Sequence, residues 1–577
     1  MPDVASQSTD ADWVARLADE VIAESQRRAP GKAVVVASGL SPSGPIHLGN
    51  LREVMIPHLV ADEIRRRGIE VVHILSWDDY DRLRRVPADI DQSWTQHIGK
   101  PLTSVPAPPG STQPNWAEHF KAPMADALFR LGVEYRGVSQ TQMYTSGAYT
   151  DQVLLAMRER EHIDAVLGRY RTRPRAAAVT SMAPADAGEQ EAARLAAEGS
   201  GAAAEDDGHT SAGYFPFRPY CTGCERDTTT VTSYDDETTA MSYTCECGHS
   251  QTVLLRDFHR GKLVWKVDWP MRWAYEGVVF EPSGVDHQSP GSSFEVGGQL
   301  VREIFGGEQP IGPMYAFVGI TGMAKMSSSR GAVPTPSDAL EIMEEFLLRW
   351  LYTRRRPNQA FSIAFDAELH RLYDEWDAVE RRVAGGIASD LDVSAYDRAV
   401  RTAAGELPRT PRPLPYRTLA SVADITTGDP VQMLRILSET DPDHPIGSLD
   451  EVRPRLDRAQ CWVATQLPAD QRTRLRAEPD LAALAALTDA ERGALKLLLD
   501  GLESHWSLEG LSQLVYAVPK LQAGLPADAK PTAELKAAQR AFFALVYRLM
   551  IGRETGPRLP TLLLAAGQDR VRALLGG

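Results

Sequence analysis

The run from Ser38 to Asn50, Ser-Gly-Leu-Ser-Pro-Ser-Gly-Pro-Ile-His-Leu-Gly-Asn, constrains this chain most, because of what stands on either side of it. Before it, the stretch Trp13 to Arg28 places Val14, Leu17, Val21 and Ile22 on one helical face, and Val34 to Ala37 reads as a short apolar strand. After it, Leu48 to Arg67 reads as a helix closed by Gly68, and Glu70 to Ser76 as a returning strand. Helix, strand, loop, helix, strand is the opening of a parallel α/β domain. The loop then lies at the carboxyl end of a parallel strand, the edge where open α/β sheets bind ligands.

A helix start beside such a loop offers backbone amides and a positive dipole end to an anion. His47 there can donate a hydrogen bond to charge developing on a phosphate, and Gly49 lets an adenine or ribose approach the backbone. Alone, the His47-Leu48-Gly49 turn fits a capping or core histidine better. A second segment, Lys325-Met326-Ser327-Ser328-Ser329-Arg330-Gly331, follows an apolar strand and supplies a cation and several hydroxyls. Such a loop suits closure over a triphosphate, where the lysine counts only if its interaction strengthens in the transition state.

The remaining features set limits. At 577 residues the chain should hold about three to five domains. A formal net charge of -15 argues against indiscriminate nucleic-acid binding, so a nucleic-acid partner needs local basic patches. Candidates are Arg65 to Arg67, Arg169 to Arg175 and Arg354 to Arg356, each of which also fits a solvated face. No apolar run reaches the ~18 residues of a membrane span, and the N-terminus lacks a basic and apolar leader; a cytoplasmic location is expected. Cys221, Cys224, Cys245 and Cys247 crowd into one segment, which in a reducing compartment points to a closed structural zinc site. His249 stands as an alternative fourth ligand, and Cys461 reads as a small buried hydrophobe. The stretch Ala183 to Gly213, almost devoid of large apolar residues, is expected to be a mobile insertion. Val264 to Val267 and Tyr315 to Ile320 look strand-like, and after about residue 335 helical stretches such as Asp338 to Tyr352 and Ala533 to Ile551 dominate.

His-Leu-Gly-Asn and Lys-Met-Ser-Ser-Ser, in that order, resemble the HIGH and KMSKS signatures of class I aminoacyl-tRNA synthetases. The stretches ASGLSPSGPIHLGNLRE, SWDDYDRLRRVP, WKVDWPMRW, EPSGVDH and MAKMSSSRG are similar to the class I form of lysyl-tRNA synthetases. The resemblance implies an α/β fold with a Rossmann-like catalytic domain, a zinc-binding insertion and an all-α anticodon-binding region. It places the first catalytic half at 1–160, an acceptor-end module at 161–260, the second half at 261–335, a helical stem-contact region at 336–400 and the anticodon-binding domain at 401–577.

Residue by residue, the resemblance sets His47 and Asn50 on the ATP phosphates and ribose, and Lys325, Ser327 and Ser329 on the pyrophosphate side. Gly49, Gly284, Asp286, His287 and Met326 would line the ATP or adenylate pocket, with Asp286 on a ribose hydroxyl and His287 also close to the amino acid. Gly39 and Ser41 would flank the backbone of the lysine, and Tyr315 with Trp265 or Trp269 its aliphatic stem. Asn50 and Ser328 depart from the generic signatures, and Ser328 removes one cation. The substrates implied are ATP, L-lysine and tRNA(Lys), with Mg2+ on the triphosphate and structural Zn2+; a monomer is expected.

Independent support for lysine comes from the strand end Trp77-Asp78-Asp79-Tyr80-Asp81, because a desolvated ammonium needs an anion or several acceptors. One of these carboxylates is expected on the lysine side chain; the alternative pairs them with Arg82, Arg84 or Arg85. The rival readings are a synthetase for glutamate and a silent synthetase-like binding protein.

Overall fold

The computed structural model describes residues 12–171, 208–288, 291–321, 333–440 and 443–576. Lys325, Met326, Ser327, Ser328, Ser329 and Arg330, most of the expected insertion at 183–213, and Arg173 and Arg175 lie outside the described residues.

Two compact units divide the chain. The first runs to Leu340 and adds Glu345–Ala364 and Val379–Leu407; the second holds Glu341–Glu344, Phe365–Ala378 and everything from Pro408. Glu345–Ala364 and Val379–Leu407, which fall largely in the 336–400 region, cluster with the first unit.

The first unit opens as its periodicity predicts. Helix α1 (Trp13–Arg28), capped by the Asp12 carboxylate on the amides of Val14 and Ala15, precedes β1 (Val34–Leu40). A short 3-10 turn, Leu48–Asn50, leads into α2 (Leu51–Arg66), and β2 is Val71–Trp77. β1 and β2 pair in parallel from Val34–Val71 to Leu40–Trp77, and β3 (Arg136–Ser139) joins on the far side of β2. On the other side of β1, Phe280 bridges in parallel to Val36 and to Ile311, so residues 278–281 form the next rung outward. Two short parallel pairs follow, Ser283–Gly284 with Met314–Tyr315 and Val318–Thr321 with Phe361–Ala364.

The Val264 to Val267 segment is not a strand. Only Gly261–Leu263 is extended, and α3 (Trp265–Glu276) starts directly after Val264, ended by Gly277 in the left-handed region. Trp265, Trp269 and Trp273 recur every fourth residue, the helical spacing that outweighs a four-residue apolar run. Their helix packs under the sheet with Ala37, Ile74, Val138 and Val301.

The inserted module is an antiparallel meander of Thr229–Tyr234, Ala240–Cys245 and Ser250–Leu254. Its core is continuous with α3 through Val267 and Met271 and with Tyr80, Tyr144 and Tyr149.

The second unit is helical among its described residues. It includes Tyr416–Ile425, Arg455–Thr465, Asp489–Gly501, Leu508–Gln522 and Ala533–Ile551, the last closed by left-handed Gly552. Its buried polar centre is Arg455, which meets Glu344 at 2.8 Å and Asp377 at 2.9 Å. The single helix expected over Asp338 to Tyr352 is two, Pro336–Ile342 and Glu345–Thr353. At the break the Glu344 amide donates to the Tyr373 hydroxyl at 2.9 Å instead of to a helical carbonyl. The first unit also keeps β structure beyond residue 335, at Phe361–Ala364 and in the hairpin Arg401–Thr402 with Gly405–Glu406.

Candidate active site

The loop leaving β1 is tied down where the Trp116 indole donates to the Ser43 carbonyl at 3.1 Å. His47 follows in extended conformation and Leu48–Asn50 make one tight turn, with the Asn50 amide on the His47 carbonyl at 3.0 Å. Gly49 is required by the His47 ring, because a Cβ there would stand 2.9 Å from Nδ1 of that ring. The same Cβ would be 3.7 Å from the Val318 carbonyl. The Leu48 amide donates to the Pro334 carbonyl at 2.7 Å. Described residues that flank the Lys325 segment on both sides, Val318 and Pro334, therefore meet the His47 turn. With the Leu48 and Asn50 amides bonded to protein carbonyls, the expectation that the helix start offers its first amides to an anion does not hold at those two positions.

Burial lowers the His47 pKa to about 4, so its imidazole is neutral, and Nε2 is buried without a hydrogen-bond partner. A buried polar atom left unpaired is costly. The arrangement leaves the imidazole one bond short, as a hydrogen-bonding residue awaiting a nucleotide would be.

The amino-acid side gathers several expected residues. Gly284 pairs with Tyr315, and a Cβ on Gly284 would stand 2.4 Å from the Asp286 carboxylate, so only glycine admits that side chain. Trp265 and Trp269 stack with centroids 5.2 Å apart, and the His287 ring lies 5.6 Å from Trp269. Asp286 approaches His287 Nε2 at 3.6 Å. Ser41 and Asn50 are half-buried at the loop's two ends.

Sequence reasoning missed the residue at the centre of this group. Glu53, half-buried in the first turn of α2, lies beside Gly39 and Tyr315. Burial, then the like charges of Glu281, Asp286 and Asp78, push its carboxyl well above the usual range. The charged groups that bear on it are all acids. An acid one turn into a helix reads as a partner of the dipole, so nothing in the sequence marked it.

Asp78 and Asp79 are each engaged by a protein cation. Arg272 donates to Asp78 at 2.6 Å and to the Ser76 hydroxyl at 3.1 Å, and also pairs with Asp268. Asp79 is fully buried and meets Lys121 at 2.6 Å, the Ser139 hydroxyl at 2.7 Å and the Thr141 amide at 2.8 Å. Asp81 pairs with Lys262, and Arg82 meets Asp227 at 3.1 Å. Protein cations distant in sequence thus neutralise the carboxylates expected to bind an ammonium, a pairing no local spacing announces. Arg272 and Lys262 face Asp78, Asp81 and Asp268.

The sulfur atoms of Cys221, Cys224, Cys245 and Cys247 all lie within 4.8 Å of one another, with Cys224–Cys245 at 3.6 Å and Cys221–Cys247 at 3.8 Å. Tetrahedral zinc–thiolate geometry separates sulfurs by roughly 3.8 Å. The Gly223 amide donates to the Cys221 sulfur at 3.3 Å, a bond that favours thiolate. His249 bonds instead to the Thr222 hydroxyl at 3.0 Å, so four cysteines complete the set without it. Of the basic clusters, Arg66 pairs with Asp62 and Asp397, Arg67 with Glu63 and Asp19, and Arg354 lies over the Trp350 ring at 4.0 Å.

Residues 11–405 match the family described as tRNA synthetases class I (K). The chain belongs to this family. It is 68% identical, over the whole of both chains, to a lysine–tRNA ligase of Streptomyces coelicolor. It is 32% identical to one of Pyrococcus horikoshii over 97% of each chain, and 31% identical to one of Treponema pallidum over 98% of each. In class I synthetase terms, the turn at His47 and the segment from Lys325 are the two signatures, and the cysteine cluster lies in the insertion between them. Among the described residues, no helix is long and apolar enough to cross a membrane.

Proposed function

We propose that this chain is a lysine–tRNA ligase. It condenses L-lysine with ATP, the lysine carboxylate attacking the α-phosphorus as pyrophosphate leaves. It then passes the lysyl group to the terminal adenosine of tRNA(Lys), at the 2′-hydroxyl first. The observation that carries the amino-acid choice is Glu53, a half-buried carboxyl beside Gly39 and Tyr315 whose largest charged neighbours are acids. A pocket short of a cation attracts the lysine ammonium and repels a glutamate side chain. Glu53, rather than Asp78 or Asp79, is the ammonium's partner.

Trp269 and Tyr315 flank the aliphatic stem, Gly39 and Ser41 the substrate backbone, and Gly284, Asp286 and His287 the adenylate. His47 donates from its neutral ring to the phosphates beside Asn50 and Gly49. Lys325, Met326, Ser327 and Ser329 serve the ATP and pyrophosphate side, with Mg2+ on the triphosphate. The rate arises from orientation and charge stabilisation, with no covalent enzyme intermediate. Zinc, held by Cys221, Cys224, Cys245 and Cys247, would crosslink an insertion too small to fold alone. The insertion meets the acceptor end of the tRNA and the helical C-terminal region its anticodon, in a cytoplasmic monomer.

Aminoacylation of total tRNA by the zinc-loaded protein, with ATP, Mg2+ and each amino acid in turn, tests this reading. Charging with lysine alone is expected. Charging with glutamate would sink the lysine assignment, and no charging at all would favour a tRNA-binding protein.

A further inference from the structure

One buried carboxyl near the site is used by none of these steps. Glu281 follows Phe280, whose backbone lies in the sheet between Val36 and Ile311, so it stands at the same carboxyl edge as Gly39. Its Oε2 accepts the Trp273 indole at 2.6 Å, and the Trp269 ring, one helical turn earlier on α3, packs 4.8 Å from that of Trp273. Trp269 is the ring against Trp265 and His287. Arg272 and Asp78 face Glu281, and Glu53 faces it from α2; Asp286 and His287 lie beyond the Trp269 ring. Arg272 is bonded to Asp78 and Asp268 rather than to Glu281.

We propose that Glu281 is a positioning residue of the amino-acid pocket. It fixes the Trp269 wall by holding the Trp273 indole, against which Trp269 packs, and adds, beside Glu53, a second negative charge for a cationic side chain. The proposal rests on the lysine reading and deepens it. Burial holds the Glu281 carboxyl up at about 7, so its charge is gained as pH rises through neutrality.

Calorimetric titration of L-lysine into the full-length, zinc-loaded protein between pH 6 and pH 8.5, in buffers of different ionisation enthalpy, reads both effects. For the wild type, lysine Kd should fall about tenfold across this range, one pKa unit being one decade, with proton release on binding below neutrality. Glu281→Gln should bind lysine about tenfold more weakly at pH 8 and lose most of the wild-type pH slope, with its ATP KM kept and no fall in melting temperature. Should that variant not fold, Glu281→Asp, which keeps the charge, must retain the slope. A Glu281→Gln protein with the wild-type slope overturns the proposal. So does a joint rise in the lysine and ATP constants with a lowered melting temperature. A wild type that charges another amino acid removes the lysine reading itself, an outcome that wild-type charging separates from any effect of the variants.

Discussion

At Gly49 there is room for the ring of His47 and no more, since a Cβ there would lie 2.9 Å from Nδ1, with the Val318 carbonyl 3.7 Å away on another side. Gly49→Ala should therefore displace the imidazole without unfolding the chain. Lysine-dependent pyrophosphate exchange is expected to drop on the order of a hundredfold, the scale of losing one transition-state donor. Lysine binding should be unchanged, and a variant with unaltered exchange would show that His47 does not need its present place.

Glu53→Gln should weaken lysine binding by about ten- to a hundredfold, the worth of one hydrogen bond to a charged group, with ATP binding kept. The substitution also has a stability signature. Because the folded-state pKa of Glu53 is raised above the ordinary 4.5, its protonated form favours the fold, and that contribution is lost as pH rises beyond 4.5. Melting curves of the lysine-free proteins should show Glu53→Gln gaining on the wild type from pH 5 to pH 8. A gap that stays constant with pH would mean the carboxyl carries no burial penalty.

Asp79→Asn leaves the buried Lys121 ammonium with only the more exposed Glu118 as its anion. Breaking one side of a buried pair costs about 3 kcal/mol or more, so urea unfolding should register a marked loss while lysine KM stays near wild type. An altered amino-acid preference with intact stability would return Asp79 to the substrate pocket.

Metal analysis of the purified protein should find one zinc per chain. His249→Ala should retain it and Cys247→Ala should release it, since four sulfurs already lie within bonding reach of one centre. Chelation is expected to expose the 208–258 segment to protease and to disturb its neighbours, because the Tyr220 hydroxyl donates to the Tyr80 carbonyl at 2.6 Å and Arg82 pairs with Asp227. Retention of zinc by Cys247→Ala would point to His249 as ligand.

Local periodicity made the helices Trp13–Arg28 and Ala533–Ile551 legible, along with the Gly552 cap and the β1–α2–β2 opening, because each rests on contacts a few residues apart. Short elements were another matter. The two-residue pairing of Ser283–Gly284 with Met314–Tyr315 exists because the sheet extends there, and Val264 to Val267 could not be told from a helix start by its apolarity.

By itself the sequence determined the parallel α/β opening, the two signature segments and the four cysteines of one cluster, since motifs and helical faces are written in spacing along the chain. The tertiary structure decided which acids are paired with protein cations. Arg272 lies far along the chain from Asp78, and Lys121 is brought to Asp79 only by folding, so these carboxylates are neutralised from a distance. Glu53, unremarkable in its helix, is left among Glu281, Asp286 and Asp78. Charge balance in a buried site depends on every group that folding brings within a few ångströms, and no local pattern encodes that set.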